Sequence, residues 1–458
     1  MERFFGLAAR GTTPAREVRG GVTTFMAMAY IVLLNPIILG GATDVTGARL
    51  SIVQLTTATA LSAAVSTILM GLAGNAPFGV AAGLGLNAVV AYQAAPYMTW
   101  AQAMGLVVLE GAVIVVLAVS GLRRLIMDAI PLALKHAISV GIGMFIALIG
   151  FVDAGFVTKG AGTVVQLGAT GHLTTWPVAL FCFGLLLMII LYVRRVPGAI
   201  LIAILVTAAL SVIVNSVAVI DPKSWGVVVP AIPDGVVSAP DFGLVGHVDV
   251  FGGFGRAGVV TASVVLFTLV LSGFFDAMGT IIGVSDEAGL VRADGSVPNL
   301  GRILTVDGVT AMIGGLTSSS ANTVFVESAA GVGEGARTGL ASLVTGVLFA
   351  CALLVSPLAT VVPAAAAAPA LVLVGALMMT QSRNVPWQDL EMAIPAFLTI
   401  ALMPFTYSIT NGVGAGVIAY TVVKAARGRF REIGPLLWIV SVIFVCYFAV
   451  EAIEGLFR

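Results

Sequence analysis

The sequence predicts an all-α polytopic membrane protein of about 14 membrane segments in two inverted seven-segment halves. Three observations carry that prediction. First, 59% of the 458 residues are hydrophobic, mean hydropathy is +1.09 and only 10% are charged. A soluble chain of this length would hold about 115 charged residues; this one holds 22 basic and 22 acidic. That scarcity excludes soluble multidomain enzymes, disordered chains and nucleic-acid binders, which need charge. Second, the apolar runs last roughly 17–25 residues, the length of a bilayer-crossing helix rather than of an alternating barrel strand. Third, a short motif recurs in the first segment of each half.

Apolar segments are read near 21–40, 51–73, 77–95, 100–120, 132–151, 176–194 and 198–219. A polar stretch at 220–255 follows, with Asp221, Lys223, Asp234, Asp241 and Asp249. Segments resume near 257–283, 302–317, 319–334, 337–356 and 362–380. The block 391–426, broken by Pro395, Pro404 and Asn411-Gly412, reads as two short helices, and 434–453 as a last apolar run. The 54 glycines fit closely approaching membrane helices. Cys182, Cys351 and Cys446 are scattered through apolar runs and read as small buried hydrophobes, with no metal or disulfide spacing. The N-terminus is polar and basic, unlike a cleaved signal peptide.

With the N-terminus inside and the segments alternating, only Arg49, Lys159, Lys223 and Arg256 fall outside. Arg458 is unassigned, and the other 17 of 22 cations, among them Arg123, Arg124, Lys135 and Arg292, lie inside. The positive-inside rule supports this register, which puts 220–255 outside as a loop between the halves. Phe25-Met26-Ala27-Met28-Ala29-Tyr30-Ile31 and Phe275-Asp276-Ala277-Met278-Gly279-Thr280-Ile281 share four of seven positions. Seven being odd, the second half enters from the opposite side, so the repeat is inverted.

Two segments depart from simple spans. Ala76–Tyr92 carries three glycines and Asn87, and Gly314–Gly339 sets Thr317, Ser318, Ser319, Ser320, Asn322 and Thr323 ahead of Glu327. Irregular backbone at membrane depth persists only where protein or a water-filled cavity satisfies its amides. Interrupted segments at corresponding places, third and tenth here, point to the central binding site of a carrier.

Ionisable groups inside a span are functional candidates. Asp276 and Glu327 are the foremost; Glu110 reads as a buried structural hydrogen bond and Asp307 as a helix-end residue. With no Lys or Arg mid-span opposite the acids, an anionic solute is disfavoured. A neutral solute with N–H donors, or a cation, fits better. Carboxylates accept hydrogen bonds from a planar heterocycle, and Phe325, Phe275 and Phe274 offer stacking faces. Asn87 could donate or accept at the other broken segment. His136, His172 and His247 do not cluster, so no metal site and no cofactor are expected, and Gly83–Ala88 lacks the lysine and strand–helix setting of a phosphate loop.

At these residues the sequence resembles the nucleobase:cation symporter-2 superfamily, in its AzgA-like (azaguanine-resistance-type) purine permease branch. The matching pieces are GGVTTFMAMAYIVLLNPIIL (20–39), APFGVAAGLGLNAVVAY (76–92), AIPLALKHAISVGIGMFIALIG (129–150), FFDAMGTIIGV (274–284), VESAAGVGEGARTGL (326–340) and AIPAFLTIALMPFTYSITNG (393–412). The resemblance implies a core domain of segments 1–4 and 8–11 (residues 1–120 and 256–356). It also implies a gate domain of segments 5–7 and 12–14 (121–255, with the outside loop, and 357–458, with the C-terminal helix). Segments 3 and 10 would each hold a short strand and a half-helix. Asp276 and Glu327 would bind the base, one of them coupled to proton movement. The family's usual Tyr two residues before the segment-10 acid is Phe325 here, its Thr-Thr is Thr323-Val324, and its PGMGLN is AAGLGLN.

The resulting expectation is a proton-symporting importer of adenine, guanine or hypoxanthine in the plasma membrane, multi-pass with a cytoplasmic N-terminus, moving core against gate like an elevator. Asp276, Glu327, Phe325, Asn87, Phe275 and Thr323 would line its site. The partners are the purine base, the proton and the lipid bilayer; a homodimer is compatible with the sequence, and no nucleic acid is expected. An anion carrier of the same fold, an intramembrane enzyme using Asp276 and Glu327, and a channel are the alternatives.

Overall fold

The computed structural model describes residues 2–120, 131–160, 162–218, 220–232, 235, 237–291 and 297–456. Arg123, Arg124, Asp234, Arg292 and Arg458 lie outside them. Among the described residues, ten helices are long and apolar enough to cross a bilayer, and Leu390–Phe405 and Pro435–Ala449 are shorter apolar helices.

The first segment is kinked rather than continuous. Helix α1 (Pro14–Met28) starts seven residues before the predicted boundary, with Thr13 accepting from the Arg16 amide at its N-cap and Pro14 in the first turn. It ends at Ala29-Tyr30, and α2 (Ile31–Gly41) continues. Helix α3 (Ile52–Leu69) leads to strand β1 (Val80–Ala82) and the short helix α4 (Leu84–Val89). Then come α5 (Trp100–Ser120), α6 (Leu132–Asp153), a small hairpin of β2 (Val157–Thr158) and β3 (Gln166–Leu167), α7 (Trp176–Val193) and α8 (Ala199–Val217). The second half holds α9 (Val259–Glu287), α10 (Leu300–Leu316), β4 (Asn322–Val324), α11 (Ser328–Gly333) and α12 (Gly339–Ala352). Helices α13 (Ala364–Met378), α14 (Leu390–Phe405), α15 (Ile409–Ala426) and α16 (Pro435–Leu456) complete it.

Side-chain clamps fix the two ends of the bundle. At one face, the buried Glu17 carboxylate of α1 accepts the amides of Arg337 (2.7 Å), Thr338 (3.3 Å) and Ala341 (3.1 Å). It thereby satisfies amides at the start of α12 that have no intrahelical acceptor. The Arg10 guanidinium donates to the Asn75 and Arg337 carbonyls beside it. At the far end of α3, the inter-half loop lies across the helix ends. Ser238 N donates to Leu354 O, Asp241 N to Thr57 Oγ1, Gly246 N to Leu316 O and Asp249 N to Ala101 O.

Between the faces, small residues bring helices into contact. A Cβ on Gly111 of α5 would stand 2.5 Å from the Gly308 carbonyl of α10, and one on Gly143 of α6 would stand 2.6 Å from Met378 Cβ. Backbones that near leave no lipid between them, and dispersion holds them together. Helix α16 runs back along α15: Thr421 and Ser441 hydroxyls lie 2.6 Å apart, and Phe444 packs over Gly414. The cysteines differ from expectation: Cys351 and Cys446 are exposed, and Cys182 is half-buried against the cluster of Phe181 and Ala365.

Candidate functional site

The two broken segments meet in the middle of the molecule. β1 and β4 pair antiparallel with Val80 opposite Val324, Ala81 opposite Thr323 and Ala82 opposite Asn322. Two further bonds lengthen the ladder: Gly83 N to Ala321 O (2.9 Å) and Phe325 N to Gly79 O (3.0 Å). β1 arrives from the Arg10–Asn75 face and β4 from the loop face, as inversion of the halves requires. The polar run before β4 is what lets the chain turn there. Ser318 and Ser320 adopt left-handed φ of 62° and 72°, and side chains stitch the turn to α2 and α3. Asn35 Nδ2 donates to Thr59 Oγ1 and Ser319 O, Ser319 Oγ to Ser62 Oγ (2.7 Å), and Asn322 Nδ2 to Ser66 Oγ (2.9 Å). Non-helical backbone thus finds its partners inside the protein.

Each strand hands on to a half-helix. After β4 come the buried Phe325 and then Glu327, which stands at the N-cap of α11. Ser328 Oγ donates to Phe325 O (2.6 Å) and accepts from Gly79 N (3.0 Å), locking α11 to the start of β1. The half-buried Glu327 carboxylate accepts the Tyr30 hydroxyl at 2.6 Å. Tyr30 is itself buried, at the kink between α1 and α2.

Asp276, midway along α9, is exposed and lies within electrostatic reach of Glu327 and of Asp307. On its shoulder Phe275 contacts Phe274 (ring centroids 5.6 Å apart) and carries Lys135 Nζ 4.7 Å from its own centroid. Asn87 of α4 is fully buried, and neither amide atom has a hydrogen-bond partner among the described residues. Thr323 is buried in β4, and its hydroxyl has no hydrogen-bond partner among the described residues.

Sequence reasoning therefore placed Glu327, Phe325 and Thr323 on one crossing strand and half-helix, Asn87 on the other, and Asp276 and Phe275 on the long helix beside them. It missed Tyr30, although the repeat motif contained it, because an aromatic in an apolar run carries no signal of a kink. It also missed Lys135: assigned to a segment start, it reaches the Phe275 ring. Asp307 is no helix-end residue, for it sits halfway along α10, where Gly308 touches α5. Glu110 has no structural hydrogen bond among the described residues.

Residues 15–415 match the Xan_ur_permease family, described as a permease family. The chain belongs to that family. This permease is 38% identical over 451 residues to the adenine permease AdeP of Escherichia coli, covering 97% of this chain and 95% of the relative. It is 38% identical over 455 residues to the guanine/hypoxanthine permease PbuG of Bacillus subtilis, covering 98% and 99%. The nucleobase transporter PlAzg2 of Paenibacillus larvae is 33% identical over 412 residues, covering 88% and 76%. Among solved structures, the transmembrane domain of the cyanobacterial bicarbonate transporter BicA superposes with a TM-score of 0.60 at 15% identity, covering 90% of this chain and 96% of that one. SLC26A9 does so at 0.63 and 12%, covering 90% and 65%. At those identities the likeness establishes a shared inverted-repeat fold and nothing about cargo. The protein is a multi-pass membrane permease and not an enzyme.

Proposed function

We propose that this permease imports purine nucleobases (adenine, guanine or hypoxanthine) across the plasma membrane by proton symport, with its N-terminus in the cytoplasm. The observation that carries the reading is the convergence of Glu327 and Asp276 where β1 crosses β4. A purine presents N–H donors and ring-nitrogen acceptors on its edge and a flat apolar face. Carboxylates accept the former, an amide such as Asn87 can serve either, and an aromatic ring covers the latter. Phe325 supplies that face at the strand end. Phe275 has one face beneath Lys135, so it offers only the other. Thr323 would set the wall under the base. The names of the relatives, adenine and guanine/hypoxanthine permeases, support the same cargo.

Proton coupling follows from the same chemistry. A carboxyl group leaves water far more readily as the neutral acid, so a site lined by acids crosses the membrane with less resistance once a proton is bound. The movement is that of the core (residues 1–120 and 256–356) against the gate (121–255 and 357–458), carrying the crossing from one face to the other.

Uptake of tritiated hypoxanthine, competed with unlabelled bases and with bicarbonate at two pH values, tests the reading. Saturable uptake competed by purines, and lost when the inward proton gradient is collapsed, is expected. Uptake competed by bicarbonate and indifferent to purines would replace it with an anion carrier.

A further inference from the structure

A second pair of acids stands behind the site. Helices α5 and α10 touch at Gly111 and Gly308: a Cβ on the first would lie 2.5 Å from the Gly308 carbonyl, and one on the second 2.9 Å from the Val115 amide. The residue before each glycine is an acid. Glu110 is fully buried, and neither of its carboxylate oxygens has a hydrogen-bond partner among the described residues. Asp307 is 2% exposed, and its Oδ1 likewise lacks one.

The neighbours of Glu110 can be named element by element. From α10 it feels Asp307. From α9, Gly273, one turn before Asp276, lies so near that a Cβ there would collide with the Glu110 Oε1, and Leu86 of α4 closes the same spot. No cation among the described residues is paired with either acid. Two buried neighbouring carboxylates, paired with no cation among the described residues, cannot both carry charge, so at least one holds a proton. Both oxygens of Glu110 lack a hydrogen-bond partner among the described residues, whereas of Asp307 only Oδ1 does, so a charge is worse placed on Glu110 than on Asp307. The proton therefore belongs to Glu110.

We propose that Glu110 is a positioning residue that works as the neutral acid, and that its ionisation sets the alkaline limit of transport. Ionised, Glu110 would set a second negative charge against Asp307, which stands in electrostatic reach of Asp276, and would strain the α5–α10 contact beneath β4. The functional half of this proposal rests on the purine-permease reading; the protonation half does not.

Two measurements test it. In purified protein in lipid, infrared spectra of wild type and Glu110→Gln at neutral pH should differ by the carbonyl stretch of one protonated carboxyl group. Superimposable spectra would overturn the proposal. In purine uptake, Glu110→Gln is permanently neutral and should move the alkaline loss of activity up by about one pH unit or more, the scale on which buried acids respond to a like charge. Glu110→Asp should restore a titrating limb. An alkaline limb unmoved in Glu110→Gln would overturn it. Should Glu110→Gln fail to accumulate, 13C-glutamate labelling in a Glu327→Gln background reads the same proton. A protonated glutamate band supports the assignment and its absence removes it. The infrared arms need no substrate, so they stand whatever the cargo proves to be.

Discussion

Replacing Tyr30 by Phe removes one hydroxyl and leaves the ring that fills the α1–α2 kink. The hydroxyl donates to Glu327 at 2.6 Å, a short bond to a carboxylate. Hydrogen bonds to charged partners contribute about 1.5–3 kcal/mol, against about 1 for neutral pairs. Tyr30 also fixes which way the carboxylate turns, since Glu327 stands at the head of a six-residue helix and has three side-chain torsions of its own. If that orientation is what the purine meets, the loss falls on substrate affinity. At 1.4 kcal/mol per decade it amounts to about a 10- to 150-fold rise in KM or Kd. Uptake of labelled hypoxanthine into cells lacking their own purine carriers, measured beside the variant's melting temperature, separates this from instability. A Tyr30→Phe permease whose KM stays within about twofold of wild type would refute the reasoning.

Gly314 lies where α10 turns toward β4, and a Cβ there would collide with the Ser320 carbonyl oxygen. Gly314→Ala should therefore cost about 1–3 kcal/mol through overpacking and lower both the melting temperature and uptake; an unchanged melt would mean the turn is looser than described. Asp44, in the loop after α2, is buried, which works against its charge. The Thr46 hydroxyl and the amides of Thr46, Ala48 and Trp100 outweigh that and hold its carboxyl below the usual range. Its folded value being lowered, the stabilisation is present above the ordinary carboxylate value of about 4 and disappears as pH falls through the lowered one. Asp44→Asn should melt earlier than wild type at pH 7, with the gap closing in acid; a gap constant across that range would contradict the bonding described.

Much of this was legible in the sequence, for identifiable reasons. A bilayer-spanning helix must be apolar along its length, so charge scarcity and run length revealed the class. The two broken segments showed because six hydroxyl and amide side chains before Glu327 and three glycines close before Asn87 make no sense against lipid. The β1–β4 register was not legible: three-residue strands have no periodicity, and their pairing is decided by helices that arrive from opposite faces. Tyr30, Lys135 and Glu17 were hidden for a related reason, since each acts on a partner distant in the chain, Glu327, Phe275 and the start of α12. Asp307 was misplaced because the eye reads helix ends from composition, whereas α10 starts at Leu300 and its middle is fixed by the Gly111–Gly308 contact. Glu110 shows the limit of reading burial as structure, for the bond that would have made it structural is missing among the described residues.

The central claim is that a purine base is held by Asp276 and Glu327 at the strand crossing. Calorimetric titration of hypoxanthine, adenine and guanine into the purified permease, and into its Asp276→Asn and Glu327→Gln variants, tests it without any transport step. Saturable binding of at least one base to wild type is predicted, weakened by about tenfold or more in each variant, since each loses a charged hydrogen-bond acceptor. Equal affinity in all three proteins would contradict the account.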